Sequence, residues 1–122
     1  MKNFYSLDEV SSECLSAVTA IGNFDGVHKG HRILLRNTQE IAKKTGKKLA
    51  VLTFEPHPKS LFRPDEPPNR LTPANVKVWR LEQEGVDILY ALPFDWAFAS
   101  RSADDFIKSI LQKGLQTSHV VV

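Results

Sequence analysis

Apolar runs alternate along this chain with amphipathic stretches of helical period. "AVTAIG" (17–22) is a short apolar run ending in glycine. "LAVLTF" (49–54) is apolar almost throughout, the pattern of a strand covered on both faces. "VDILYAL" (86–92) is a third such run, and "HVVV" (119–122) begins a fourth. Between the first two, residues 29–45 carry Leu34, Ile41 and Thr45 at spacings that share one helix face. Lys43, Lys44 and Gly46 close that helix, with cations in the last turn and then a residue that tolerates the left-handed conformation. Thr72-Pro73 reads as N-cap and first position of a second helix, which runs to about Glu84 and stops at Gly85. Ser102 and Asp105 open a third helix in capping-box fashion. Phe106, Ile107, Ile110 and Leu111 supply its apolar face, and Gly114 ends it.

The order β-α-β-α-β-α-β with buried strands predicts a parallel sheet, right-handed crossovers and helices on both faces. The fourth strand is expected beside the first. Ligands of such sheets bind beyond the carboxyl ends of the strands, which here means the loops 22–28, 55–72 and 93–101. Six of the seven prolines fall between residues 56 and 73, five of them in the second loop. Proline has a fixed φ and no amide donor, so that segment reads as a stiff loop. Its length exceeds that of a mere connector. "PFDWAFASR" (93–101) reads as another loop.

Composition narrows the class without choosing a function. The 122 residues are one domain or part of one, 42% hydrophobic and 25% charged, as expected of a soluble globular protein. The net charge is only +2, so bulk electrostatics argues for neither nucleic acid nor a membrane surface. Arg32, Arg36, Lys43, Lys44, Lys47 and Lys48 form a local basic cluster, expected as a solvated helix face. Cys14 is the single cysteine, which excludes an intrachain disulfide or thiolate cluster. There is neither a long apolar span nor a signal-like N-terminus, and the chain is expected in the cytoplasm.

The candidate chemistry lies in "IGNFDGVHKGHR" (21–32), at the first strand-to-helix turn. Gly22, Gly26 and Gly30 allow tight turning and close approach of a ligand to the backbone. The helix that follows offers unpaired N–H groups and the positive end of its dipole, which suits phosphate. Neither G-x-G-x-x-G nor G-x-x-x-x-G-K-[ST] is present. In their place stand His28 and His31, whose i, i+3 spacing about Gly30 lets both rings reach one side of the first turn. Two donors there suit a triphosphate and charge growing on an attacked phosphorus.

"GNFDGVHKGHR" resembles the signature of the H-x-G-H nucleotidyltransferase superfamily. The fuller string resembles the N-terminal FMN adenylyltransferase module of bacterial bifunctional riboflavin kinase/FAD synthetases. "TFEPHP" (53–58), "RLT" (70–72), "GVD" (85–87), "PFDWAFASRSADDFI" (93–107) and "HVVV" (119–122) resemble that family's blocks in order. The ordered set is more specific than H-x-G-H alone and covers the chain from about residue 18. The resemblance implies a Rossmann-like nucleotidyltransferase fold in which His28 and His31 bind the ATP phosphates and stabilise the transition state. It also implies that Gly22, Asn23, Phe24, Asp25 and Gly30 form the nucleotide pocket, and that His57, Pro58 and Phe62 lie on the flavin side. The implied reaction is attack of the FMN phosphate on the α-phosphorus of ATP, giving FAD and pyrophosphate. Mg2+ is implied too, held mainly by the substrate phosphates, with no metal site of the chain's own.

The family's pattern runs on past the fourth strand, through further flavin and nucleotide segments to a riboflavin kinase domain. Residues 1–122 are accordingly expected to be a partial nucleotidyltransferase domain, truncated after its fourth strand, with the kinase domain absent. The last strand is then an exposed edge, open to self-association. Lys29 fills a position that the H-x-G-H motif leaves open. Two other readings stand beside this one. One is a different H-x-G-H nucleotidyltransferase of phosphopantetheine, cytidylyl or NMN type, against which "TFEPHP" followed by "RLT" argues. The other is a non-catalytic nucleotide-binding remnant. Asp95 reads as a loop hydrogen-bonding group, and Arg70 as a partner for phosphate or for a loop acid.

Overall fold

The computed structural model describes residues 1–22, 24, 29–55, 74–93 and 96–122. Five parallel strands form one sheet. They are β1 (Lys2–Phe4), β2 (Val18–Ile21), β3 (Leu49–Glu55), β4 (Ile88–Pro93) and β5 (His119–Val121), in the order β1-β4-β3-β2-β5. The helices are α1 (Lys29–Thr45), α2 (Ala74–Gln83), α3 (Trp96–Ala99) and α4 (Ala103–Asp105), the last running on as a π-helical stretch over Phe106–Gly114. The expected strand next to the first apolar run is present: β5 pairs with β2, Val18 opposite His119 and Ala20 opposite Val121.

The expectation of four strands is corrected to five. Lys2–Phe4 adds a strand beside β4, with Lys2 opposite Ile88 and Phe4 opposite Tyr90. Three residues are too few to show a period of two, and only the fold supplies the partner. The domain's last described strand is therefore its fifth. "PFDWAFASR" also differs from a plain loop, because Trp96–Ala99 makes one helical turn.

Alternation along the strands splits the core into two layers. Val18, Ala20, Val51 and Leu89 face one side, where Leu35 and Ala42 of α1 and Leu81 of α2 cover them. Ala50, Leu52, Ile88, Tyr90 and Leu92 face the other, under Ile110, Leu111, Leu115 and the N-terminal segment at Cys14 and Ala17. Helices thus cover both faces. The buried stripe of α1 runs through Leu35, Thr38 and Ala42, flanked by half-buried Leu34 and Ile41. Thr45 falls outside it, exposed, with its hydroxyl bonded to the Ile41 carbonyl at 2.8 Å. In α4 the wider π winding brings Phe106, Ile110, Leu111 and Leu115 to the core and turns Ile107 outward, 47% exposed. The basic cluster of α1 and its following turn is exposed as expected.

The element ends follow their residues. Gly46 (φ +67°) and Gly85 (φ +88°) take the left-handed conformation after α1 and α2, which a side chain would strain. The Ser102 hydroxyl accepts from the Asp105 N–H at 3.1 Å and caps α4. Asp87 pins two strand starts: its carboxylate accepts from the Leu49 N–H at 2.9 Å, and its carbonyl accepts from the Lys2 N–H at 3.0 Å. From β2 the chain moves through β3 to β4, then returns across the sheet to β5 on the far side of β2. The reversal point of a parallel sheet, where ligands bind, therefore lies at the carboxyl ends of β2 and β5.

Candidate active site at the carboxyl end of the sheet

The segment after β2 leaves the sheet at this reversal point. The Gly22 N–H donates to the Leu52 carbonyl at 3.1 Å, extending the ladder by one residue before the chain turns away. Gly22 leaves little room for a side chain on its inner side. A Cβ there would lie 3.0 Å from Phe24 Cε2, so this glycine makes space for Phe24. Phe24 is fully buried and holds φ +53°, a backbone conformation that costs an aromatic residue on the order of 1–2 kcal/mol. The strain is maintained by packing. The ring lies in the α1 layer of the core and supports the imidazole of His31, with ring centres 4.9 Å apart and planes tilted by 41°.

His31 is the third residue of α1 and is half-buried; Gly30 precedes it, exposed in the same turn. Gly22, Phe24, Gly30 and His31 thus converge where β2 hands over to α1. Any contact of Phe24 with a ligand runs through its main chain, since its ring is enclosed. Asn23, Asp25, His28, His57, Pro58 and Phe62 lie outside the described residues, as do Gly26, Arg70 and Asp95. Among the described residues, no three His, Cys, Asp or Glu side chains come together to hold a metal ion.

On the other face, at the same end of the sheet, lies an aromatic pocket that the sequence pattern does not single out. Ile21, Phe54, Phe98, Phe106, Arg101 and Ser102 line a cavity of about 300 Å³. Phe54 and Phe98 are 4.9 Å apart, and Phe98 meets Phe106 edge-on at 5.7 Å. These rings come from β3, α3 and α4, so only the folded chain brings them together. The one sequence signal is the placement of each at the carboxyl side of its strand. Arg101 borders the pocket and pairs with Asp105 at 2.7 Å. The Ser109 hydroxyl, then Arg101, hold the Asp105 carboxyl below the usual carboxylate range. A second cavity, of about 330 Å³, shares Phe98 and Arg101 and extends to Ser6 and Asp8.

Fold and site together define an α/β protein of Rossmann-like nucleotidyltransferase architecture, with its ligand end at the carboxyl edge of a parallel sheet. More particularly, the chain belongs to the FAD synthetase family, whose profile matches residues 11–122. It is 38% identical over 122 residues to the bifunctional riboflavin kinase/FMN adenylyltransferase of Escherichia coli K12, covering all of this chain and 38% of that one. It is 39% identical over 113 residues to the Bacillus subtilis protein of the same description, covering 92% of this chain and 35% of the relative. Among solved structures, a Streptococcus pneumoniae chain described as a macrolide-efflux protein superposes with TM-score 0.83 at 28% identity. That match covers 98% of this chain and 39% of the other. Among the described residues no helix is long and apolar enough to cross a membrane.

Proposed function

We propose that this chain is an FMN adenylyltransferase module, which transfers AMP from ATP to FMN and releases FAD and pyrophosphate. The observation that carries the reading is the shared strand end. Ile21 lines the aromatic pocket, and Gly22, the next residue, starts the turn to His31 and the amino end of α1. A flat apolar ring system and a polyphosphate can therefore sit side by side at one edge of the sheet. The flavin ring goes among Phe54, Phe98 and Phe106, where offset and edge-on contacts suit a planar aromatic ligand. The triphosphate goes to the first turn of α1, at the positive end of its dipole. FAD synthetase family membership favours this acceptor over phosphopantetheine, cytidylyl or NMN acceptors.

In this reading an FMN phosphate oxygen attacks the α-phosphorus of ATP. The new P–O bond forms as the bond to the β-phosphate oxygen breaks, and pyrophosphate leaves with that electron pair. No covalent enzyme intermediate is needed; positioning and charge stabilisation suffice. His31, packed on Phe24, donates to the phosphates in this reading, and His28 joins it by the family resemblance, as do Asn23 and Asp25 at the nucleotide and His57, Pro58 and Phe62 at the flavin. Mg2+, which the family resemblance implies, would be held mainly by the triphosphate oxygens and would neutralise part of their charge. A cytoplasmic location goes with this reading.

The test is FAD formation from FMN and ATP, followed by chromatography, with the complete gene product and its Phe98→Ala variant. We expect turnover by the wild type. In the variant the KM for FMN rises by roughly tenfold or more, as the loss of about 1.4 kcal/mol of stacking requires, while the KM for ATP changes little. A wild-type protein without FAD formation overturns the reading, and an unchanged FMN KM removes the flavin from this pocket.

A further inference from the structure

Among the described residues that line the aromatic pocket, Arg101 alone carries a charge, and its side chain is held in place. Its main-chain N–H donates to the Phe98 carbonyl at 3.1 Å, which ties it to the turn that carries one of the rings. Its Nη1 donates to Asp105 Oδ2 at 2.7 Å. Asp105 is anchored in turn: Oδ1 accepts from the Ser109 hydroxyl at 3.0 Å, and its N–H donates to Ser102 Oγ at 3.1 Å. A long, flexible side chain is thus fixed beside an apolar cavity. An exposed ion pair of this kind contributes little to stability, so stability does not account for the arrangement. The pairing also leaves part of the guanidinium open. Among the described residues, Nε and Nη2 have no hydrogen-bond partner, and together they form an edge with two parallel N–H donors. The side chain is 36% exposed, so that edge can be reached and is only partly hydrated.

The sheet order says which part of the acceptor meets it. Ile21 of β2 forms one wall of the pocket and Phe54 of β3 the next. Phe98 and Arg101 also line the second cavity, whose other walls include Leu92 of β4 and Ser6 beyond β1. In the order β1-β4-β3-β2-β5, Arg101 therefore stands toward β4, one to two strand spacings, roughly 5–10 Å, from the β2 end. In the adenylyltransferase reading the FMN phosphate faces the β2 end, where Gly22 and the amino end of α1 receive the nucleotide. The flavin ring then extends toward Arg101. Its dimethylbenzene end has no hydrogen-bonding atom and calls for no cation. Its pyrimidine end carries N1 and the C2 carbonyl oxygen side by side, two acceptors that match two parallel donors.

Resting on the FMN adenylyltransferase reading, we propose that Arg101 is a specificity-determining residue of the acceptor site: held by Asp105, its guanidinium donates through Nε and Nη2 to N1 and the C2 carbonyl of the flavin pyrimidine ring. The phenyl rings accept any flat apolar body, and Arg101 selects one with adjacent acceptors on its edge. Asp105 acts through Arg101 as a positioning residue.

The experiment compares Arg101→Met and Arg101→Lys with wild type in the complete gene product, each shown to be folded by its melting curve. Calorimetry gives the Kd for FMN, riboflavin and 2-thio-FMN, and steady-state FAD formation gives KM for FMN and for ATP. For Arg101→Met we expect the FMN Kd and KM to rise by about tenfold to a hundredfold, as for the loss of a hydrogen bond to a charged group, with the ATP KM nearly unchanged. Riboflavin loses the same factor, because the contact is to the ring. Arg101→Lys recovers only part of the loss, since it keeps the charge and not the fork. In 2-thio-FMN a sulfur, a poor acceptor, replaces the C2 oxygen. Wild type should bind it more weakly than FMN, whereas Arg101→Met should bind the two alike, a non-additivity that only a direct contact produces. The inference is overturned if Arg101→Met binds FMN as wild type does, or if the thio and methionine losses add in full. It is also overturned if FMN affinity falls while riboflavin affinity holds, which would make the phosphate the partner. Should Arg101→Met fail to fold, Arg101→Lys carries the same comparisons. A wild type that binds no FMN overturns the adenylyltransferase reading itself, whereas normal wild-type binding with an indifferent Arg101 overturns this inference alone.

Discussion

His31 and Gly22 show how single residues set the site. His31 rests on the ring of Phe24, and that ring occupies the space a side chain at Gly22 would need. The imidazole is therefore placed by a core residue and by a hydrogen atom, in series. His31→Ala should lower adenylyl transfer by about 10²–10³-fold, the usual loss for one preorganised donor, while thermal stability stays near wild type. Steady-state FAD formation beside a melting curve checks both. Tyr90 works in the opposite sense, as a purely structural group. Its hydroxyl donates to the Cys14 carbonyl inside the core, and burial, then the neighbouring Cys14 thiol, push its phenol above the ordinary tyrosine value. Tyr90→Phe leaves that carbonyl without its donor and should cost about 1–3 kcal/mol, read by denaturant unfolding, with the kinetic constants of the folded enzyme unchanged.

At the scale of elements, the ends are governed by local chemistry and were largely legible in the chain. Lys29–Thr45 was expected as a helix between the same residues, because glycine and lysines mark its close. Gly85 and the Ser102 cap were legible for the same reason: a positive φ and a side-chain oxygen act within a few residues of themselves. What was not legible depends on distant partners. Lys2–Phe4 becomes a strand only because β4 offers an edge, and the rings of Phe54, Phe98 and Phe106 meet only after the sheet forms. Lys77 reads in sequence as one more helical cation, and its burial is a property of the layer above β3. The start of α4 yields a pH prediction. Ser109 and Arg101 hold Asp105 in its ionised form. A carboxyl whose folded value is depressed stabilises the fold above its ordinary value and loses that contribution as the pH falls through the lowered one. The Asp105 carboxyl should therefore titrate below 3.8, the ordinary value, in a carbon-detected NMR titration, and Ser109→Ala should move the midpoint upward.

For the molecule as a whole, the sheet order joins two halves of unequal origin. β2, β3 and β4 follow one another through α1 and α2 on one face, whereas β1 and β5 are the outer strands and arrive from the two ends of the described chain. β5 lies on the far side of β2 from β3, with Val120 44% exposed. β1 is the opposite edge, and its register has a consequence in time. Lys2 is the second residue of the chain, but its partner is Ile88. Closing that pair requires everything between to be in place first, since the entropy of a long loop is lost before the contact is gained. We expect the central strands to form the nucleus, and Lys2–Phe4, made before them, to dock among the last. Phe4→Ala, which removes the ring stacked 6.2 Å from Tyr90, should accordingly speed unfolding and leave the refolding rate almost unchanged in stopped-flow measurements. During synthesis, the amino-terminal strand waits, unpaired, until β4 has emerged.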